Sequence, residues 1–62
     1  MKYYADVTES YRRLNGTDHP VRIVLYRQRG LWIVARICNG ICEASWSFAT
    51  KFEAIRCFGN IS

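Results

Sequence analysis

Histidine occurs once, as His19, and none of the three cysteines sits in a C-x-x-C pair. A four-ligand zinc site would need a carboxylate or an outside ligand, so no metal site is expected. An odd number of cysteines without metal or disulfide spacing reads as reduced, mostly buried thiols. Long apolar runs are also missing. None approaches the roughly 20 residues that span a bilayer, and the opening "MKYYADVTES" lacks the apolar stretch and cleavage site of a secretion signal. The expectation is a soluble, cytoplasmic protein with no membrane partner.

Catalytic constellations are equally scarce. There is no Ser/His/Asp set, no convergent pair of buried carboxylates and no phosphate-cradling glycine loop. His19 beside Asp18 reads as a solvated loop residue. Cys57 reads as packing, because no histidine is placed to activate it. No enzyme activity, catalytic residue or cofactor is expected.

Acidic residues are few, five against nine Lys and Arg, for a net charge of +4. Over residues 1–20, Lys2, Arg12 and Arg13 cancel Asp6, Glu9 and Asp18. The excess lies later, where Arg22, Arg27, Arg29, Arg36, Lys51 and Arg56 face only Glu43 and Glu53. That imbalance suits a polyanionic partner.

What the chain does have is apolar and aromatic content: half of its 62 residues are hydrophobic and nine are aromatic. This excludes disorder and bounds the protein to a single small domain, 1–62, whose core supplies only about 3–5 kcal/mol. There is no repeat, low-complexity tract or linker.

Tyr4, Val7, Tyr11 and Leu14 recur at spacings of three, four and three, one stripe of a helix, so the pattern predicts an amino-terminal helix over 2–14. Asn15-Gly16 supplies its stop. A strand over 3–7 stays open as the other reading. "NGTDHP" reads as a loop, with Pro20 opening the first of three strands at 21–27, 31–38 and 41–48.

Asn39-Gly40 suits a two-residue type I′ turn. It sets Cys38 opposite Ile41, and then Ile37 opposite Cys42, Ala35 opposite Ala44, Ile33 opposite Trp46 and Leu31 opposite Phe48, one wholly apolar face. The other face pairs Arg36 with Glu43, Val34 with Ser45 and Trp32 with Ser47. Cys38 and Cys42 then point to opposite sides and cannot form a disulfide. For the first hairpin, a three-residue loop, Gln28-Arg29-Gly30, keeps Arg22 and Tyr26 off the apolar face, whereas a two-residue Arg29-Gly30 turn would place them on it. The longer loop is expected.

Thr50 and Glu53 form a capping-box pattern, so a helix can start directly after Phe48 and run over 50–61. Ala54, Ile55, Cys57, Phe58 and Ile61 share its apolar side, with Phe52 at the margin, to cover Leu31, Ile33, Trp46 and Phe48. The fold class expected is α+β, a three-stranded antiparallel meander packed on a carboxy-terminal helix, in the order α-β-β-β-α.

On this register the uncovered face interleaves Arg22, Val24 and Tyr26 with Trp32, Val34 and Arg36, and the first hairpin tip adds Arg27 and Arg29. Arginine and aromatic rings together offer phosphate contacts, bidentate base recognition and stacking. The same residues could instead form a second small core beneath the amino-terminal helix.

"RQRGLW" and "SFATKFEAI", with Gly30-x-Trp32 and Phe48-Ala49-Thr50-x-x-Glu53-Ala54, resemble the amino-terminal arm-binding domains of tyrosine-recombinase integrases and the plant ethylene-response-factor DNA-binding domain, over residues 21–61. That resemblance implies a sheet entering the major groove, with Arg22, Arg27, Arg29, Trp32 and Arg36 as contacts. The helix–three strands–helix order is also similar to the double-stranded-RNA-binding domain, but the first hairpin lacks that family's Gly-Pro-x-His loop and the last helix has one lysine, Lys51.

The expected function is a small non-enzymatic nucleic-acid-binding or regulatory protein. Its partner would be double-stranded DNA, and its site Arg22, Tyr26, Arg27, Arg29, Trp32 and Arg36. The alternative is a protein-interaction module, such as a phage or mobile-element modulator of a host protein. That module would bind through Trp32 and Tyr26 or an edge strand, or self-associate as a homodimer through the same aromatic patch.

Overall fold

A computed structural model describes residues 2–61, the side chain of Ile61 excepted. Four strands, β1 (Ala5–Leu14), β2 (Thr17–Gln28), β3 (Leu31–Cys38) and β4 (Ile41–Phe48), precede one helix, α1 (Lys51–Ile61). They form a single antiparallel sheet in the order β1-β2-β3-β4. The antiparallel sheet and carboxy-terminal helix match expectation. The amino-terminal helix does not exist: residues 5–14 are an edge strand, and the sheet has four strands rather than three.

A bulge explains the misleading stripe in β1. Ala5 to Thr8 pair in order with Leu25 to Arg22, but Ser10 rather than Glu9 opposes Val21. One extra residue shifts the phase of a period-two strand, so Val7 and Tyr11, four apart, fall on opposite faces of the sheet. The Tyr, Thr and Val content suits a pleated strand better than a helix.

All three hairpins close through two-residue turns, Asn15-Gly16, Arg29-Gly30 and Asn39-Gly40, each with positive φ at both positions as type I′ requires. "NGTDHP" is therefore mostly strand, not loop. Pro20 opposes Tyr11 on a two-stranded ribbon that runs past the last β2–β3 pair, Val21 with Cys38, where β2 has a single neighbour. The three-residue loop expected at 28–30 is also absent, since Gln28 pairs directly with Leu31.

Registers decide which face is which. Leu25 opposes Val34 and Ile23 opposes Arg36. In β4 a second bulge follows the expected Cys38–Ile41 and Ile37–Cys42 pairs, after which Ala44 opposes Arg36, Ser45 opposes Ala35, Trp46 opposes Val34 and Phe48 opposes Trp32. The pairs expected beyond Cys42 are thus all displaced by one. The bulge carries Trp46 and Phe48 to the side of Val34 and Trp32 instead of the side of Ile33 and Leu31.

Helix α1 lies on that side. Ala54, fully buried, packs with Ile23, Leu25 and Val34, and Ala5, Trp32, Phe48, Cys57 and Phe58 surround them. Ile55 and Phe52, expected at or near the covered side, are exposed. The opposite face has no helix on it and carries Arg22, Val24 and Tyr26 beside Ile33, Ala35 and Ile37. The long β1–β2 ribbon leaves the molecule extended: its Cα radius of gyration is 12.1 Å, against about 10.6 Å for a compact chain of this length. No helix among the described residues is long and apolar enough to cross a membrane.

Candidate nucleic-acid interface

The six expected contact residues do not share a surface. Arg22 and Tyr26 lie on the open face, Arg27, Trp32 and Arg36 on the helix-bearing face, and Arg29 in the turn between β2 and β3. Only Arg27 and Trp32 are in contact, with Arg29 in the adjoining turn.

Arg22 and Arg36 are already engaged. Arg22 forms a two-pronged pair with Asp6 on the neighbouring strand, with Nε donating to Oδ1 at 3.2 Å and Nη2 to Oδ2, and its guanidinium stands 6.0 Å over the Tyr3 ring. Arg36 lies 3.6 Å from Glu9, the extra residue of the β1 bulge. Arg12 bonds Glu43, which stands at the β4 bulge, and Arg13 bonds Asp18 across the 15–16 turn. The bulges therefore do electrostatic as well as geometric work, presenting Glu9 and Glu43 to arginines of non-adjacent strands.

Hydrogen bonding first, and then the carboxylate charge, raise the pKa of Arg22 beside Asp6 and of Arg12 beside Glu43 above the ordinary arginine value. A raised cation pKa contributes stability fully below the unfolded value and loses it only as pH rises through the folded one. Both pairs therefore keep their arginine charge throughout the neutral and moderately alkaline range.

The remaining carboxylate, Glu53, accepts a hydrogen bond from the Thr50 hydroxyl at 2.9 Å, while the Glu53 amide donates to Thr50 Oγ1 at 3.3 Å. Every acidic side chain thus has a partner. Among the described residues, no ion pair holds Lys2, Arg27, Arg29, Lys51 or Arg56. Arg56 and Glu53 offset each other, so the other four cations equal the net charge of +4.

Those four sit at one end of the sheet. The β2–β3 turn, the entry into β1 and the start of α1 all meet there. Tyr4 is held by its amide donating to the Leu25 carbonyl at 2.7 Å. Its ring meets Trp32 edge-on at 5.7 Å. Lys51 Nζ stands 4.3 Å from the Tyr4 centroid and 5.7 Å from that of Trp32, and the Arg27 guanidinium is 5.6 Å from Trp32. Lys2, Tyr3, Tyr4, Arg27 and Trp32 line an open cavity of about 410 Å³.

This end pairs cations with π-faces beside a recess large enough for a nucleotide-sized group. Sequence reasoning missed Lys2, Tyr3, Tyr4 and Lys51. The available signal was Lys51 at the first helical position, where the helix dipole disfavours a cation. No group of three or more His, Cys, Asp or Glu suited to a metal occurs among the described residues. No protein family, curated protein or solved structure matches this chain.

Proposed function

We propose that the protein is a cytoplasmic, non-enzymatic nucleic-acid-binding protein whose site is the 29–30 end of the sheet, not a sheet face. One observation carries the reading: Lys51 and Arg27 stand over the Tyr4–Trp32 aromatic pair, Lys2 lines the adjoining cavity and Arg29 sits in the neighbouring turn, all outside ion pairs, while the arginines elsewhere on the sheet are neutralised by carboxylates. Phosphates would meet Lys2, Arg27, Arg29 and Lys51, and a base would lie against the rings. The free thiols of Cys38, Cys42 and Cys57 support a reducing compartment.

Cations alone serve duplex and single strand alike, whereas aromatic platforms favour unstacked bases. The test titrates tryptophan fluorescence with short single-stranded and duplex oligonucleotides at several salt concentrations. Four phosphate contacts give a log–log salt slope of about −3 for single strands and nearer −4 for duplex. Absence of binding to either at low salt would overturn the reading. The protein-interaction alternative draws support from a separate feature, the apolar open face.

A further inference from the structure

The face of the sheet away from α1 is the largest feature that nucleic-acid binding leaves unused. An antiparallel sheet with one wet face normally alternates apolar and polar residues. Here the two central strands are largely apolar on both faces: beside Arg22, Val24 and Tyr26 of β2 and Ile33, Ala35 and Ile37 of β3 all lie on the uncovered side. Val24 and Ala35 are 0% and 1% exposed even so, Ile33 and Ile37 are half-buried, and Tyr26 is half-buried with the Tyr3 ring 5.8 Å away at one end of the face. These are sequences of strands covered twice, in a fold that covers them once.

We infer that this face is the interface of a homodimer, two copies packing open face to open face as a β-sandwich. Charge argues for a second copy rather than a polyanion. The surface holds no uncompensated charge, since Arg22 is bound to Asp6. The pattern also matches itself. The apolar strip runs centrally along β2 and β3, broken only by Arg22 paired to Asp6, with Asp6 and Thr8 of β1 on one rim and Ser45 and Ser47 of β4 on the other. A two-fold axis along the strands lays β1 of one copy over β4 of the other. Strip then meets strip, and Asp6 meets Ser45 rather than a second Asp6. Size agrees too. Four strands about 4.8 Å apart and roughly seven residues long project about 450 Å² before side-chain relief is counted. Counted over both partners that is about 900 Å², at the size of weak, reversible interfaces below the standard class.

The experiment is equilibrium sedimentation of the full chain without nucleic acid, with methyl spectra followed on dilution. Expected is a mass shifting between 7.2 kDa and twice that value across a roughly hundredfold dilution. The Ile33 and Ile37 methyl resonances should move with it, while that of Ile55, exposed on α1, stays still. Ile37→Glu should give a folded monomer, and Ile55→Glu should still dimerise. The dilution spectra of the unaltered chain test the interface even if Ile37→Glu fails to fold. A single 7.2 kDa species at every concentration, or a folded Ile37→Glu that still dimerises, would overturn the inference. So would dilution shifts at Ile55 instead of at Ile33 and Ile37. A chain that stays monomeric yet captures another protein through this face also counts against it.

Discussion

Lys51 places its ammonium 4.3 Å from the centre of the Tyr4 ring, joining the first turn of the helix to the segment that leads into the sheet. A cation at a helix amino terminus opposes the dipole by about 0.3–1 kcal/mol, while an exposed cation–π contact returns about 0.5–1 kcal/mol. Lys51→Glu removes that penalty and adds a favourable carboxylate while losing the contacts to both Tyr4 and Trp32, so the opposing changes are similar in size and the denaturation midpoint should stay nearly unchanged. It should nevertheless weaken oligonucleotide binding strongly, since it reverses a charge at the centre of the cluster. Equal binding by the two proteins in the fluorescence titration would remove Lys51 from the site.

Tyr4 tests stacking separately from charge. The residue is 57% exposed and lies outside the buried cluster, so Tyr4→Ala should fold normally. Loss of a base-stacking platform costs about 1–3 kcal/mol of binding, with no change in salt slope because no cation is removed. Arg22→Ala is the control. Its guanidinium is committed to Asp6 on the open face, so affinity should hold. A binding loss from Arg22→Ala comparable to that from Tyr4→Ala would return the site to the sheet face.

The carboxy-terminal half was readable for local reasons. Asn39-Gly40 between apolar runs, and Thr50 three residues before Glu53, are signals whose physics lies within a few residues; the turn forms as expected, and of the capping box the Thr50 cap forms while the Glu53 carboxylate bonds the Thr50 hydroxyl instead of its amide. The amino-terminal half failed because a bulge at Glu9 breaks the alternation of β1 and imitates a helical stripe. The 28–30 loop failed for another reason. Requiring one clean apolar face excluded the two-residue turn, although β2 and β3 are largely apolar on both faces. That choice, with the β4 bulge, put Ile33 and Ile37 under the helix and Trp32 and Arg36 in solvent. The candidate site was legible only at Arg27, Arg29 and Trp32. Lys2, Tyr4 and Lys51 join them through the four-stranded topology, which no local pattern encodes.

Thr50 sets where α1 begins and therefore where Lys51 stands. Its hydroxyl oxygen accepts from the Glu53 amide at 3.3 Å. Thr50→Ala should cost about 0.5–2 kcal/mol, a large share of a domain this small, and Thr50→Ser should restore most of it. Urea denaturation followed by helical circular dichroism measures both. An unchanged midpoint in Thr50→Ala would mean that packing of Ala54, Cys57 and Phe58, not the cap, fixes the start of the helix.

The core leaves no room beneath α1. Ala54 is fully buried against Ile23, Leu25 and Val34. Ala54→Leu should overpack that contact and destabilise the protein by about 1–3 kcal/mol. Leu25→Ala should cost about 2–5 kcal/mol, enough to unfold a domain with this small a core. Thermal melts that left Ala54→Leu as stable as the parent would show the helix free to lift from the sheet.

Arg29 is where stability and binding pull apart. Two of the three type I′ turns place Asn at the first position, at φ 51° and 54°, while Arg29 holds the equivalent φ of 53° without the Asn side chain that favours it. At the proposed binding site an arginine in that turn would supply a phosphate contact. Arg29→Asn should therefore stabilise the fold by about 0.5–1 kcal/mol, while weakening oligonucleotide binding and reducing the salt slope by about 1. Paired melting and binding curves check both halves. A variant that melts higher and binds as tightly, with the same slope, would show that the turn needs no cation and that phosphate is met elsewhere.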